Sequence, residues 1–478
     1  MSNQGGFFKN TSIYVIGEVI PRLLSFITFP ILTSYLTPAD YGINSYVASL
    51  TSFLFILSNL SLSTYFFVHY FRAESEDARK KLTGTLAIFT TVYSLILVLI
   101  VLAFGPYLLE LWGSKVDFYP FVFLGVIAMY FEVLIIYPSA IYRVIEKPIT
   151  LITFNISKAV INVIGILFVV YFLKGTLKDI LLIQTIISAV LGFAFVFYSR
   201  KFFYVIFDKQ LIKNAMSFSL PLVPASISWY AYNTFDRVLI DKYLTLNDLG
   251  LFSTATTLAL MLNIVTNSAY KAFEPLFFKY FGKDEFDNIY NSIKNMYIFM
   301  TLLGALYLSL FSKEFFEIFS SESFLSSYKY VPYILIGTVT SSVGLIYGTI
   351  ITAMGKTKHN AVITILGAII SIMVNIMLLK VIGIWAAILS SAITYIVSLI
   401  IRMYFSGRKI FEFYSFCAFI LTFLPAIFFN NVDIKIGFIY QIILKGIISL
   451  IIIYILSLLL NIDVKHLVNK FLRREKKI

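Results

Sequence analysis

The stretch that decides the fold is residues 82–105, LTGTLAIFTTVYSLILVLIVLAFG, which carries no charged residue. About 20 consecutive apolar residues are enough for an α-helix to cross a bilayer. Fourteen comparable stretches follow one another along the 478 residues. They begin near Ile13, Gly42, Leu82, Tyr119, Thr150, Ile180, Ala215, Leu249, Ile289, Tyr330, Asn360, Ile384, Phe411 and Gly437. The sequence therefore predicts an all-α polytopic membrane protein with about 14 transmembrane helices.

Composition supports this reading and excludes several classes of protein. Hydrophobic residues make up 59% of the chain and charged residues 13%, about half the charged share, roughly 25%, of a soluble protein. The net charge of +13 is expected in loops that face anionic lipid, not on a nucleic-acid surface. A single cysteine, Cys417, and three scattered histidines predict no intrachain disulfide and no metal site. No phosphate-binding loop and no catalytic constellation is present, so we predict no cofactor, no ATPase and no enzyme.

The loop charges predict the orientation. Counting alternate loops and both termini, 25 of the 38 Lys and Arg residues fall on one side, eight on the other, and five inside spans. Because cytoplasmic loops are enriched in Lys and Arg, both termini are expected in the cytoplasm. The first apolar run is longer than the core of a signal peptide and contains polar residues, so we expect a retained helix.

Two eight-residue segments resemble each other: residues 35–42, YLTPADYG, and residues 243–250, YLTLNDLG. Five of the eight positions are identical, and both segments join an odd span to the next even one. A shared capping turn explains the match in part, because Asp caps helices and Gly suits tight connections. The alternative is an internal repeat, as in many transporters. It predicts a six-helix lobe at 1–207, a second at 208–406, and two further helices with a basic tail at 407–478.

Polar residues recur on one face of three spans. The stripe in span 1 is Tyr14, Glu18, Arg22 and Ser25; in span 7 it is Ser226, Tyr230, Asn233 and Arg237, with Asp236 adjacent; in span 8 it is Asn263, Asn267, Tyr270, Lys271 and Glu274. Glu132 in span 4 is a weaker candidate. Such seams either hydrogen-bond helices together or line a hydrated cavity.

Five cations lie inside predicted spans: Arg22, Lys158, Arg237, Lys294 and Lys445. A charge at the bilayer centre is costly, so central cations are expected to face a cavity or a partner. For Lys294 and Lys445, near helix ends, we expect the side chains to extend to the interface.

Four segments together resemble polysaccharide exporters and O-antigen flippases (Wzx type) of the multidrug/oligosaccharidyl-lipid/polysaccharide (MOP) transporter superfamily. They are RLLSFITFPILTSYLTPADYG at 22–42, PLVPASISWYAYNTFDRVLIDKYLTLNDLGLFSTA at 221–255, FEPLFFKYF at 273–281, and MGKTKHNAVITILGAIISIMVNIMLL at 354–379 with GIWAAILSSAITY at 383–395. The resemblance implies two lobes around a cavity that opens alternately to each side of the bacterial inner membrane. The implied substrate is an undecaprenyl-diphosphate-linked oligosaccharide, moved to the outer leaflet for O-antigen, capsule or exopolysaccharide synthesis. Polymerase and chain-length proteins of the pathway are the implied partners.

On that resemblance, the diphosphate is expected to bind Arg22 and Arg237, with Lys158 as a second choice, because Arg binds phosphate oxygens bidentately. The sugar and cavity candidates are Tyr14, Tyr230, Asn233, Asn263, Asn267, Tyr270 and Lys271. The candidates for ion coupling are Glu18, Asp236, Glu274 and Glu132. Two alternatives remain: a cation-coupled multidrug antiporter of the same fold, and a membrane polymerase or glycosyltransferase acting on the same carrier. The embedded cations disfavour the first, and the short outer loops disfavour the second.

Overall fold

The computed structural model describes residues 20–21, 23–24, 26–408, 413–432 and 437–462, and every regular element in these residues is a helix. The chain forms two compact units, Met1–Gly250 and Leu251–Ile478. The helices up to their boundary are α1 Phe26–Tyr35, α2 Pro38–Asn59, α3 Leu62–Tyr70, α4 Glu76–Trp112, α5 Phe123–Leu134, α6 Ile136–Val144, α7 Pro148–Leu167, α8 Leu177–Ser199, α9 Lys209–Ser219, α10 Val223–Asn233, α11 Asp236–Tyr243 and α12 Leu246–Leu260. Those that follow are α13 Leu262–Tyr280, α14 Phe286–Leu310, α15 Ser312–Phe319, α16 Val331–Ala353, α17 Thr357–Ile382, α18 Ile384–Ser406, α19 Phe413–Asn431 and α20 Phe438–Leu459.

The protein is a multi-pass membrane protein, and twelve helical segments of the described residues are long and apolar enough to cross a bilayer. The all-helical membrane fold is thus confirmed, while the count of about 14 is approximate. Predicted span 1 begins among residues outside the described part of the chain, and only α1 of it is seen. Predicted span 7 is divided into α9, α10 and α11. Pro221 and Pro224 lie at the first break and a turn at Thr234 at the second, because proline removes a backbone donor and cannot continue a helix regularly.

The helices of predicted span 7 pack in the first unit. Ile212 and Ala215 of α9 and Val223 of α10 are buried in one apolar cluster with Phe66 of α3 and Tyr137 of α6. This packing places the whole of α9–α11 in the first unit, although the repeat assigns them to the second lobe. The lobe boundary after residue 207 rests on the repeat and stays a prediction.

The repeated segments form matching helix caps. The Thr37 hydroxyl donates to Asp40 Oδ2 at 2.6 Å, and the Asp40 amide donates back to Thr37 at 3.2 Å. The Thr245 hydroxyl donates to Asp248 at 2.6 Å, with a return bond of 3.1 Å. Each pair is a capping box that satisfies backbone donors at a helix start. The two segments therefore share a local structure as well as a sequence.

The repeated glycines, which lie at equivalent positions of the two segments, contact the opposite segment reciprocally. A Cβ added to Gly250 falls 2.6 Å from the carbonyl carbon of Pro38 and nearer still to its oxygen. A Cβ added to Gly42 falls 3.3 Å from the carbonyl carbon of Leu246, again nearer to the oxygen. A shift of 208 residues converts one contact into the other. The motif is thus a packing motif in which each copy requires glycine because the other copy's backbone approaches it.

In the second unit, α14 packs against α13, α16, α19 and α20, and α18 packs against α16 and α17. Lys445 of α20 is 2% exposed and donates to both carboxylate oxygens of Glu314 on α15, at 2.7 and 2.9 Å. Lys294 is also buried, with its ammonium 5.7 Å from the centre of the Tyr290 ring. The expectation that these two lysines extend to the interface was wrong, because both side chains are buried inside the unit.

Candidate functional site

The span 1 candidates lie outside the described residues. Tyr14, Glu18, Arg22 and Ser25 are among them, so their predicted roles remain predictions. The described candidates fall in three places: a large cavity in the first unit, an ion pair at the start of α11, and a small polar cavity in the second unit.

The large cavity of the first unit has a volume of about 970 Å³ and lies among α2, α5, α7, α8 and α10. Its wall combines amide and hydroxyl side chains with apolar and aromatic ones. The polar and aromatic lining residues include Asn44, Thr51, Ser52, Phe55, Asn162, Gln184, Thr185, Ser188, Ser226 and Trp229. The side chains of Asn44 and Gln184 make no hydrogen bond to the protein in the described part of the chain, and the Trp229 ring is 59% exposed. The wall thus offers donors, acceptors and an apolar platform to a ligand.

One ion pair lies in this cavity. Lys158 of α7 donates to both oxygens of Glu132 on α5, and the Ser188 hydroxyl on α8 donates to the same carboxylate at 3.0 Å. The side chains are 21% and 33% exposed. The electric fields of two opposite charges in contact largely cancel a few ångströms away. This pair therefore leaves the cavity wall polar but close to neutral. The sequence treated these residues as separate candidates for anion binding and ion coupling; the structure pairs them.

Arg237 does not lie on the same helix as the rest of its predicted stripe. α10 ends at Asn233 and α11 begins at Asp236, so the assumption of one continuous helical face through Arg237 was wrong. The guanidinium donates to Asp236 at 3.1 Å through Nη1 and to Ser45 Oγ of α2 at 3.1 Å through Nε. These side chains are 12% and 17% exposed for Arg237 and Asp236. The helix break thus points the arginine at α2, away from the lining of the large cavity.

Two other α10 candidates, Tyr230 and Asn233, make hydrogen bonds within the protein, and their predicted roles stay predictions. Tyr230 is 4% exposed, and its hydroxyl lies 3.1 Å from the hydroxyl of Ser49. The Asn233 amide donates to the Trp229 carbonyl at 2.8 Å. Three residues of α10 line the cavity: Ala225, Ser226 and Trp229.

The second unit contains a small polar cavity of about 190 Å³. The Tyr270 hydroxyl donates to Glu274 at 2.9 Å and lies 2.6 Å from the Thr349 hydroxyl. Thr352, Asn360 and Arg402 also line the cavity. The buried atoms Asn360 Oδ1 and Arg402 Nε have no hydrogen-bond partner among the residues that the structure describes. Buried polar atoms without a protein partner are commonly hydrated, so the chemistry of this small cavity suits water or an ion.

The predicted stripe of span 8 does lie on one continuous helix, α13. Tyr270 and Glu274 line the small cavity, whereas Asn263, Asn267 and Lys271 do not. The Asn263 and Asn267 side chains have no hydrogen-bond partner within the described ranges. The stripe thus divides into a half with a defined cavity and a half that faces outward from it.

Several cavity residues were missed from sequence. Asn162 follows Lys158 by one helical turn and Ser188 follows Gln184 by one turn, so an i,i+4 search through spans 5 and 6 would have found them. Arg402 was not among the five cations predicted inside spans, but α18 continues to Ser406 and places Arg402 inside a span. Among the described residues, no group of three or more His, Cys, Asp or Glu side chains is arranged for a metal ion.

Comparisons with known proteins agree with this architecture. A family model described as "Polysaccharide biosynthesis protein" matches residues 7–281, and the MatE family model matches residues 221–377. A relative, "Lsg locus putative protein 1" of Haemophilus influenzae, is 21% identical over 283 residues, covering 57% of this chain and 66% of the relative. The aligned region thus spans slightly less than two thirds of that relative's length.

Two solved structures are similar over most of the chain. The first is lipid II flippase MurJ in an inward closed conformation, with a TM-score of 0.75, 14% identity, and coverage of 93% of this chain and 97% of that one. The second is an inward-facing multidrug resistance MATE family transporter of the MOP superfamily, with a TM-score of 0.63, 15% identity, and coverage of 82% and 97%. The fold is therefore that of MOP transporters. Because the polysaccharide biosynthesis model matches more than half of the sequence, the chain belongs to that family.

Proposed function

We propose that this protein is a flippase that moves an undecaprenyl-diphosphate-linked oligosaccharide from the inner to the outer leaflet of the bacterial cytoplasmic membrane by alternating access. The product feeds the synthesis of a surface polysaccharide such as O-antigen, capsule or exopolysaccharide. The observation that carries the proposal is the amide-rich, nearly neutral cavity of about 970 Å³ in the first unit. Family membership and the MOP fold support it.

In this proposal the large cavity receives the sugars. Sugar hydroxyls both donate and accept hydrogen bonds, and so do the Asn44 and Gln184 amides. The exposed Trp229 ring packs against the apolar face of a sugar. The Glu132–Lys158 pair adds charged hydrogen-bond partners without a large net field, which suits a polar, uncharged ligand of substantial size.

The diphosphate is assigned to Arg22 and Arg237, with Lys158 as the second choice. Arg237 holds its guanidinium against Ser45 and Asp236, a pre-oriented geometry suited to phosphate oxygens. Arg237→Ala is expected to abolish export of the polymer while the protein still accumulates in the membrane, and Arg237→Lys to restore it only in part. Full export with either variant would remove Arg237 from the proposal.

Ion coupling is assigned to Glu274, because its carboxylate lines the small cavity of the second unit beside Arg402. Glu18, Asp236 and Glu132 are the further candidates. A coupling carboxylate must change its charge or its cation during transport, so Glu274→Gln is expected to stop transport driven by an ion gradient. Counterflow exchange of substrate without a gradient should persist. Loss of both activities would contradict a coupling role.

The decisive experiment follows the substrate in cells that lack the protein. We expect the lipid-linked repeat to be made and to accumulate in the inner leaflet, with no polymer at the surface. Gln184→Leu should reproduce this defect in part, while Ile186→Leu, a lipid-facing control two residues away and 47% exposed, should not.

Two other outcomes of that experiment would replace the proposal. If the repeat reaches the outer leaflet at the normal rate and only polymerisation fails, the protein is the polymerase or glycosyltransferase instead. If lipid-linked repeats are handled normally but cationic drugs are retained, it is a multidrug antiporter. Polymerase and chain-length proteins are partners in the flippase proposal alone, and copurification with them would support it.

The proposal also includes orientation, with both termini in the cytoplasm. Alkaline phosphatase, which is active only outside the cytoplasm, should be inactive when fused after Lys81 and active when fused after Lys115. The reverse pattern would overturn the orientation.

A further inference from the structure

The first unit contains a second large cavity, an apolar groove of about 680 Å³. It is bounded by α4, α5, α6, α8 and the segment 203–208 that follows α8. Its walls include Ile88, Val92, Leu134, Phe193 and Val196. Because α4 and α8 are membrane-spanning candidates and the Phe193 and Val92 side chains on the rim are more than half exposed, the groove opens toward lipid.

Arg200 is the one cation among the described residues that line the groove, and it lies at one end. Arg200 lies at the end of α8, with its guanidinium carbon 4.1 Å from the centre of the Phe197 ring, and both residues line the groove. Arg200 has no carboxylate partner within the part of the chain that the structure describes. The neighbouring Lys80 and Lys81 are each paired, with Glu76 and Asp208 at 2.8 Å. The groove therefore presents hydrocarbon walls along its length and one positive charge at its mouth.

The segment 203–208 is fastened to α4, so the groove is a built feature. The Tyr204 amide donates to the Lys80 carbonyl at 3.3 Å, and the Thr85 hydroxyl donates to the Ile206 carbonyl at 3.0 Å. Gly84 permits this approach, because a Cβ there falls 2.9 Å from the Tyr204 carbonyl carbon. The Tyr204 hydroxyl donates to Asp77 at 2.6 Å, and this bond raises the pKa of Tyr204.

The geometry points to a binding site for an anionic bilayer phospholipid, with an acyl chain in the groove and its phosphodiester at Arg200. Basic pockets between transmembrane helices on the cytoplasmic side bind anionic lipid head groups, and the loop charges predict the cytoplasm for this end. One unpaired arginine matches the single negative charge of a phosphodiester. A diphosphate carries more negative charge than one arginine balances, so a phosphodiester is the better match for this site.

The test uses the purified full-length protein in detergent, titrated with dioleoyl phosphatidylglycerol or dioleoyl phosphatidylcholine. Native mass spectrometry counts the retained lipids, and thermal unfolding reports stabilisation. We expect one phosphatidylglycerol molecule to bind roughly fivefold more tightly than phosphatidylcholine, because one cation near an anionic lipid improves affinity by about that factor. Arg200→Gln should lose this preference. Lys201→Gln, the adjacent cation outside the groove wall, should keep it.

A second variant tests the apolar part. Val196→Trp fills part of the groove and should abolish retention of both lipids. If this variant fails to fold, Thr91→Trp on the α4 wall is the substitute with the same expectation. Equal phosphatidylglycerol preference in Arg200→Gln and Lys201→Gln would overturn the site, as would normal lipid retention by the filled groove. Displacement of phosphatidylglycerol by undecaprenyl diphosphate at equal concentration would overturn the choice of a bilayer phospholipid.

Discussion

The reciprocal glycine contact gives the sharpest test of the repeat. Gly42 and Gly250 lie where the starts of α2 and α12 approach each other, and the atoms that a new Cβ meets belong to the backbones of Pro38 and Leu246. A side chain can rotate away from a clash, but a carbonyl group inside a helix cannot. Alanine at either glycine therefore has to push the two helix starts apart.

The expected magnitude follows from the distances. At Gly250 the added Cβ lies 2.6 Å from the Pro38 carbonyl carbon and nearer still to the carbonyl oxygen, whereas ordinary contact begins at 3.4 Å. The helices must therefore separate by more than about 1 Å. Overpacking of this kind costs about 1–3 kcal/mol. The gain in helix propensity from Gly to Ala, about 1 kcal/mol at most, acts in the opposite direction. A net loss of about 1–2 kcal/mol is expected for Gly250→Ala, and a smaller loss for Gly42→Ala.

Cys417 provides the assay, because it is the chain's one cysteine and a thiol-reactive dye reports its exposure as the detergent-solubilised protein unfolds on heating. The matched control is Gly446→Ala in α20, where a Cβ meets nothing within 4 Å. The expected order of melting temperature is Gly446→Ala at or above wild type, then Gly42→Ala, then Gly250→Ala. If Gly250→Ala melts with Gly446→Ala, the two helix starts are not in contact and the packing role of the repeat is refuted.

Three further predictions concern charged groups. Glu132→Gln and Lys158→Gln should each lower the amount of surface polymer. If both side chains contact the substrate, the double variant should not restore the polymer. A fully active double variant would show that Glu132 and Lys158 only neutralise each other. Lys445→Met leaves Glu314 buried without its partner and should lower the free energy of unfolding by about 3–5 kcal/mol. Adding Glu314→Leu should recover most of that loss. Equal melting temperatures for the single and double variants would contradict this. The hydrogen bond from Lys81, then that from the Leu211 amide, lowers the pKa of Asp208. Its stabilising contribution is therefore present above about pH 4 and lost only as the pH falls through the lowered value. Hydrogen exchange of residues 203–208, corrected for the intrinsic exchange rate, should not change between about pH 7 and 5. Faster exchange at pH 5 would contradict a stabilising role for the Lys81–Asp208 contact.

The membrane fold was predictable because it depends on features that are local in sequence. A span needs only a run of apolar residues, so nearly every long helix was found. The capping pairs Thr37–Asp40 and Thr245–Asp248 were visible because their members are three residues apart. Local patterns did not reveal the break in span 7. The polar residues keep helical spacing across Thr234, although the chain turns there.

The partners of buried charges were not predictable for the opposite reason. Lys158 meets Glu132, and Lys445 meets Glu314, across 26 and 131 residues of sequence. Without knowing which helices are neighbours, an embedded lysine has several acceptable explanations, and extension to the interface is the simplest for one near a helix end. Tertiary packing selected pairing instead, because a buried carboxylate stabilises a buried ammonium only at contact distance.

The pairing of interior charges has a consequence for transport. Lys158 and Arg237 both contact carboxylates of their own unit. In the proposed function, a diphosphate at Arg237 would therefore compete with Asp236 for the same guanidinium. Displaced from it, the Asp236 carboxylate stays in a poorly solvated place, where a proton or a metal cation is the available replacement. Binding of the anion and uptake of the cation then favour each other, since such coupling is reciprocal. On this proposal Asp236 is a second coupling candidate beside Glu274, and it differs from Glu274 in contacting the arginine proposed to bind the diphosphate.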